Sequence, residues 1–313
     1  MNNIIIRAIS YLRHDRSYFF DALIAHLGIW LPDEPYLRLR FRFKMGYWLN
    51  LDTPKTFIEK INWLKLHNRK PEYTQMVDKL AVKTYVMQKI GAEYIIPTIG
   101  IWSNPEDINF DSLPEQFVLK TTHGGGSCGV VVCKNKSIFD KKAAVSKLRN
   151  SMDSDMYKVY REWPYKYVKK QIIAEPYMVP IAQKDNPLYD LTDYKFYCFN
   201  GIPLYCQVIR NRHTNESIDF YDMNWNHMDF IGLNSKCMNG TTAVPRPTRL
   251  EDMKNVCRQL SGEIPFLRVD LYEIDGRLFF GEITFFPAAG IGEIAPSIWD
   301  QKLGELIKID RYA

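Results

Sequence analysis

The chain reads as an α+β protein with a helical N-terminal extension, and three observations carry that reading. Apolar residues recur at helical spacing through Leu12, Phe19, Phe20, Leu23, Ile24 and Leu27, and again through Phe57, Ile61, Leu64 and Leu66. From Tyr73 onward, short apolar runs of strand type alternate with helical stretches. Two hairpins are marked by Asn200-Gly201 and Asp275-Gly276, dipeptides that accept the left-handed turn conformation, between runs of β-branched and aromatic residues.

Residues 1–70 form the helical region. Its second helix opens at Thr53-Pro54-Lys55-Thr56 and is expected to show Glu59, Lys60 and Lys65 to water. Between its helices lie Arg38, Arg40, Arg42 and Lys44 with no acid among them, in a period-two alternation that suits a strand or one face of a cationic helix. That segment is either a solvated face or a dock for a polyanionic glycan or anionic lipid headgroups.

Residues 71–175 make the next unit. A helix over Asp78–Ile90 carries Lys79 and Lys83, and Ile95–Thr98 is extended. Strands Phe117–Lys120 and Val130–Cys133 enclose the run His123–Gly129, and a helical stretch around 140–170 leads to a strand from Gln171 that stops at Pro176. Residues 176–313 hold the two hairpins, with a helix near 250–262 between them.

Composition narrows the function. At 46% hydrophobic and 25% charged residues the chain is globular rather than disordered. A net charge of +5 favours anionic small ligands, nucleotides or uronic acids, without the basic stripe of a nucleic-acid binder. No apolar run reaches spanning length, and Arg7, Arg13 and Arg16 interrupt the start, so a cytoplasmic location is expected, with peripheral contact at the inner membrane face or a lipid-linked glycan as its extension. The six cysteines show no zinc or disulfide spacing, and Cys128, inside the glycine run, has no local base to make it a nucleophile.

Three constellations carry chemistry. Lys120 followed by Gly124, Gly125, Gly126 and Ser127 between two strands can lay backbone N–H groups on phosphates while the lysine neutralises charge, although a glycine run alone is equally a flexible turn. Asp270 and Glu282 lie on hairpin strands, so they are either two surface acids or a pair bridged by a hard metal such as Mg²⁺; the phenylalanines around Glu282 favour the metal. Arg268 falls on the face of Asp270, to pair with it or to hold a phosphoryl group in transit. Glu175 ends its strand as a hinge residue or a solvated acid.

These pieces stand in an order that resembles the TupA-like (teichuronopeptide biosynthesis) ATP-grasp family. The resemblance rests on Pro54–Ile61, Asp78–Val82, Phe117–Lys120, His123–Gly126, Ile173–Glu175, Asp193–Gly201, Phe220–Asp222, Arg268–Asp270, Phe280–Pro287 and Trp299-Asp300. It implies an ATP-grasp fold, two α+β subdomains clasping ATP, with ATP and Mg²⁺ as cofactors. By the same resemblance Lys120 and the loop with Gly124, Gly125, Gly126 and Ser127 would attend the phosphates and Glu175, Pro176 and Tyr177 the adenine, and Lys79 and His123 would belong to the same ATP site. Lys195 would reach a phosphate, Arg268 would stabilise the transition state, and Asp270, Glu282 and Thr284 would hold metal. Thr284 departs from the superfamily's Glu-x-Asn, and the ribose acid is obvious nowhere, with Asp185 and Asp190 as candidates.

The expected activity is an ADP-forming carboxylate–amine ligase that joins an amino acid or other amine to a uronic-acid carboxylate during surface polysaccharide biosynthesis, through an acylphosphate. The cationic segment 38–44, Arg210 and Arg212 would receive the anionic sugar. One alternative is a glycosyltransferase, whose Asp-x-Asp would be Asp153-Ser154-Asp155; another is a nucleotide-binding scaffold without catalysis.

Overall fold

A computed structural model describes residues 23–25, 28–184, 186, 189, 191–210, 216–233 and 237–309. The helix expected through Leu12, Phe19, Phe20 and Leu27 falls outside them, as do Asp185, Asp190 and Arg212.

The segment with alternating cations is a helix, α1 (Asp33–Met45), closed by Gly46 in the left-handed region. It is not a uniformly wet cationic face. Arg38 pairs with Glu34 at 2.8 Å and donates to the Leu49 carbonyl, whereas Arg40 is buried, donates to the Val159 carbonyl and lies over the Tyr160 ring. Helix α2 (Phe57–His67) starts at a capping box in which the Thr56 hydroxyl accepts from the Glu59 amide and the Glu59 carboxylate accepts from the Thr56 amide. That box buries Glu59. Lys65 is only 1% exposed, so two of the three residues expected in water are inside. Helices α3 (Glu72–Val77) and α4 (Ala81–Ile90) follow, with Asp78 between them accepting from the amides of Leu80 and Ala81, so the expected helix begins three residues late.

A four-stranded antiparallel sheet comes next, in the order β1-β4-β2-β3. Its strands are β1 (Gly100–Trp102), which sequence reading missed, β2 (Phe117–Thr121), β3 (Val130–Cys133) and β4 (Ile172–Pro176). The expected helical stretch around 140–170 is two helices, α5 (Lys141–Asp153) and α6 (Met156–Tyr160), each capped by an aspartate, Asp140 and Asp155. Phe117, Leu119, Ile172 and Ala174 pack with Leu148 of α5 in a core of their own.

The larger sheet is antiparallel in the order β11-β10-β5-β6-β7-β8, built from β5 (Asp193–Phe199), β6 (Ile202–Arg210), β7 (Ser217–Asp222), β8 (His227–Met228), β10 (Phe266–Ile274) and β11 (Arg277–Thr284). A small pair, β9 (Ile231–Gly232) with β12 (Ile294–Ala295), flanks it. Both hairpin turns have paired positive φ values, 50° and 83° at Asn200-Gly201 and 49° and 73° at Asp275-Gly276, as their sequences require.

Each face of this sheet has its cover. Helix α7 (Leu250–Ser261) buries Leu250, Met253, Val256, Cys257 and Leu260 in the core that includes Phe196, Cys206 and Val269. On the opposite face Phe57 of α2 meets Phe266 at 4.9 Å and Tyr197 and Phe199 at 6.3 Å between ring centroids. By strand alternation that second face also carries Lys195, Arg268 and Asp270, so one surface is packed at one end and chemical at the other.

Helix α8 (Ile298–Leu306) locks α2 in place: Asp300 accepts from the Ile58 amide at 3.0 Å, and Lys60 donates to the Ile307 carbonyl. Because the Asp300 contact is buried and links chain segments far apart in sequence, Asp300→Ala should destabilise the protein by about 1–3 kcal/mol. Urea unfolding of both proteins checks this.

Candidate active site

Two charged clusters face one another. The first lies on the four-stranded sheet. Lys120 of β2 and Lys83 of α4 both grip Glu175 of β4, at 2.6 and 2.5 Å. Burial pushes Glu175 up, but the two ammonium groups outweigh it and hold the carboxyl below its ordinary value. Lys83 also donates to the Ile96 carbonyl and the Thr98 hydroxyl.

Lys79 donates to the Gly124 carbonyl at the start of the glycine run, and its amide to the Thr122 carbonyl. The run needs its glycines for different reasons. Gly126 has φ +60°, and a Cβ on Gly129 would stand 2.0 Å from the Thr121 hydroxyl oxygen. Ser127 and Cys128 are exposed at the tip, and none of the six described cysteines forms a disulfide. His123 is buried, with Nε2 3.0 Å from the Ser151 carbonyl and Nδ1 without a hydrogen-bond partner among the described residues. Pro176 pairs with Phe117, and the Tyr177 amide donates to the Gln116 carbonyl.

The second cluster is on the six-stranded sheet. Asp270 stands directly opposite Glu282 across the β10–β11 ladder and opposite Lys195 on β5. Arg268 donates to both carboxylates, through Nε and Nη2 to Asp270 at 2.7 and 2.8 Å and through Nη2 to Glu282 at 2.7 Å. Lys195 is bonded to Asp270 and lies 3.6 Å from Asp193. A register shift falls between Asp270 and Leu271, with Gly281 as the residue that absorbs it; a Cβ there would meet Asp270 backbone and the Tyr272 ring. The bulge sets the two acids side by side.

Burial raises Glu282, but Lys79, Arg268 and Lys195 overcome it and bring the carboxyl down to about 2. For Asp270 burial prevails over Arg268 and Lys195, and the carboxyl lies above its ordinary value. Thr284 lies two residues past Glu282 on the same face, its hydroxyl 3.5 Å from the carboxylate. Asp270, Glu282 and Thr284 thus present only hard oxygen donors, the chemistry that suits Mg²⁺. Among the described residues no three or more His, Cys, Asp or Glu side chains are grouped so as to hold a metal ion.

The first cluster lines a cleft with Lys79, Lys83, Lys120 and Glu175, and Phe280 and Gly281, the residues just before Glu282, close its other side. The influence of Glu282 on Lys79 crosses it. Of the residues singled out by sequence, Lys79, Lys120 and Glu175 line this cleft, while Lys195, Arg268, Asp270, Glu282 and Thr284 come together in the second cluster. Arg210 does not: it pairs with Asp219 at 3.2 Å and donates to the Thr242 carbonyl. Asp153-Ser154-Asp155 sits at the α5–α6 junction, where Asp155 serves as a cap.

Sequence reading missed the role of Lys83 and, behind the second cluster, the buried pair Lys65 and Glu162. Burial lowers Lys65 to about 8 and raises Glu162 to about 7; Lys65, Arg40 and Arg268 oppose the shift of Glu162, and Glu282 adds to it. The signal for Lys65 was its position one turn beyond Ile61 and two beyond Ile58 on an apolar stripe. Glu162 left no signal.

The raised Glu162 carboxyl gives a stability signature. Between its ordinary value of 4.5 and about 7 the unfolded chain has lost the proton that the folded chain keeps, so this group's contribution to stability falls as pH rises through that window. Glu162→Gln should remove that decline, gaining on the native protein between pH 4.5 and 7 in urea midpoints.

The structure is similar to D-alanine–D-alanine ligases from Bacillus anthracis (19% identity, TM-score 0.43, 74% of this chain and 66% of that one) and Helicobacter pylori (14%, 0.42, 80% and 69%). A third, from Coxiella burnetii, matches at 14% identity with TM-score 0.42, covering 82% of this chain and 66% of that one. This chain therefore spans about two thirds of the length of those ligases. A search of curated proteins finds no match. The family model described as TupA-like ATPgrasp matches residues 59–308, most of the chain, and the fold is of ATP-grasp type. The chain belongs to the TupA-like ATP-grasp family.

Proposed function

We propose that this protein is an ADP-forming carboxylate–amine ligase that uses ATP and Mg²⁺ to activate a uronic-acid carboxylate and joins it to an amino acid or other amine during surface polysaccharide biosynthesis. The observation that carries the reading is the pair of facing clusters, Lys79, Lys83 and Lys120 with Glu175 on one side and Lys195, Arg268, Asp270 and Glu282 on the other. The lysines and the glycine run offer charge and backbone N–H groups to a triphosphate. Asp270, Glu282 and Thr284 would hold Mg²⁺, which neutralises phosphate charge when bound.

Catalysis by these residues is positioning and neutralisation. Arg268, already oriented by two carboxylates, is set to hold a phosphoryl group as it passes to the substrate carboxylate. Lys195 adds a second positive charge beside it. The glycine run folds over the phosphates and keeps water from the acylphosphate. No side-chain nucleophile is needed, which agrees with the lack of a base beside the exposed Cys128 in the sequence.

Among the described residues no helix is long and apolar enough to cross a membrane. We place the reaction in the cytoplasm, with acceptor chains reached at the inner face of the membrane.

ADP release from ATP and Mg²⁺ against a panel of uronic acids, UDP-uronic acids and amino acids tests the reading. ADP formation that needs both a uronate and an amine, and is lost in Asp270→Asn/Glu282→Gln, is expected. Nucleotide binding without turnover would favour a scaffold instead. A second measurement addresses the hydroxyl where the superfamily carries an amide: Thr284→Asn should lower the Mg²⁺ concentration for half-maximal ADP release, and an unchanged value would remove Thr284 from the metal site.

A further inference from the structure

The first cluster places an acid on a wall that is to receive an anion. Glu175 is 5% exposed and lies diagonal to Lys120 on one face of the four-stranded sheet, since Lys120 stands opposite Ile173 and Glu175 opposite Val118. Both line the cleft. Alone the two charges would cancel, and an arriving phosphate would meet a neutral pair with a carboxylate at its edge. A third group comes from outside the sheet, Lys83 in the first turn of α4.

The two lysines are held differently. Lys83 meets Oε1 of Glu175 at 2.5 Å, the Ile96 carbonyl at 2.8 Å and the Thr98 hydroxyl at 2.7 Å, so each of its three N–H bonds has an acceptor. Lys120 meets the other oxygen, Oε2, at 2.6 Å, and among the described residues that is its one acceptor. Two of its N–H bonds are left for a ligand in the cleft. Lys83 is saturated and anchored at three points, whereas Lys120 is tied at one. Lys79, one turn before Lys83, is bonded to the Gly124 carbonyl of the glycine run.

We propose that Lys83 is a positioning residue for nucleotide binding: it neutralises Glu175 from a fixed anchorage, so that the charge of Lys120 is left for the phosphates. Lys83 acts through the carboxylate and gives no bond to the ligand. This rests on the nucleotide-binding part of the ligase reading and assigns separate tasks to two lysines that share one acid.

The test is calorimetric titration with AMP-PNP and Mg²⁺ of four proteins: native, Lys83→Met, Glu175→Gln and the double variant. Lys83→Met should weaken AMP-PNP binding roughly tenfold, a loss of the size found for groups in one charge network. Once Glu175→Gln has removed the carboxylate there is nothing to neutralise, so adding Lys83→Met should change the affinity by less than about twofold. A lysine that only props Ile96 and Thr98, or one that binds phosphate itself, would cost the same in both backgrounds. Equal losses therefore overturn the proposal, as does native affinity in Lys83→Met. If Lys83→Met shows no cooperative urea transition, Lys83→Gln, which keeps a donor for the Ile96 carbonyl, takes its place in the cycle. A folded native protein that binds no AMP-PNP overturns the nucleotide reading itself.

Discussion

Arg268 is held by two carboxylates at once, Asp270 on its own strand and Glu282 on the neighbouring one, and Lys195 closes the set from a third strand. Charges this deeply placed persist only when they neutralise one another, since removing either partner leaves the other buried and unpaired. Much of the surrounding architecture serves this requirement. The bulge beside Asp270 aligns the acids, Gly281 leaves room for them, and α7 and α2 seal the two faces of the sheet that carries them.

The opposite wall is balanced differently. Lys83 and Lys120 share the single carboxylate of Glu175, and Lys79 is bonded to a backbone carbonyl rather than to an acid. Positive charge is therefore in excess on that side, which suits an anion that arrives and leaves. Glu282, drawn down by Lys79 across the cleft, couples the two walls electrostatically. The N-terminal helices take part as well, because Asn62 and Lys65 reach from α2 to the turn that follows the second cluster.

Local patterns made much of this legible. The hairpins with their Asn-Gly and Asp-Gly turns, the glycine run between two strands, and the pairing of Asp270 with Glu282 depend on residues close in sequence, where strand alternation and turn chemistry act directly. Where local pattern and packing disagreed, packing prevailed. Lys65 and Glu59 read as wet positions but are buried, one by carbonyls from two distant segments and the other by its capping box. Arg40 looked like part of a cationic face and is enclosed instead. Strand β1, three residues long, gave no periodicity to detect.

The sequence by itself determined the order of elements, the turns, and the residue types able to bind phosphate and metal, because these are set by backbone preferences over a few neighbouring positions. Only the tertiary structure decided that Glu175 neutralises Lys83 as well as Lys120, that Arg268 bridges two strands, and that Glu162 is buried. Those outcomes depend on charge and burial among segments far apart in the chain, and neither quantity exists until the elements have packed.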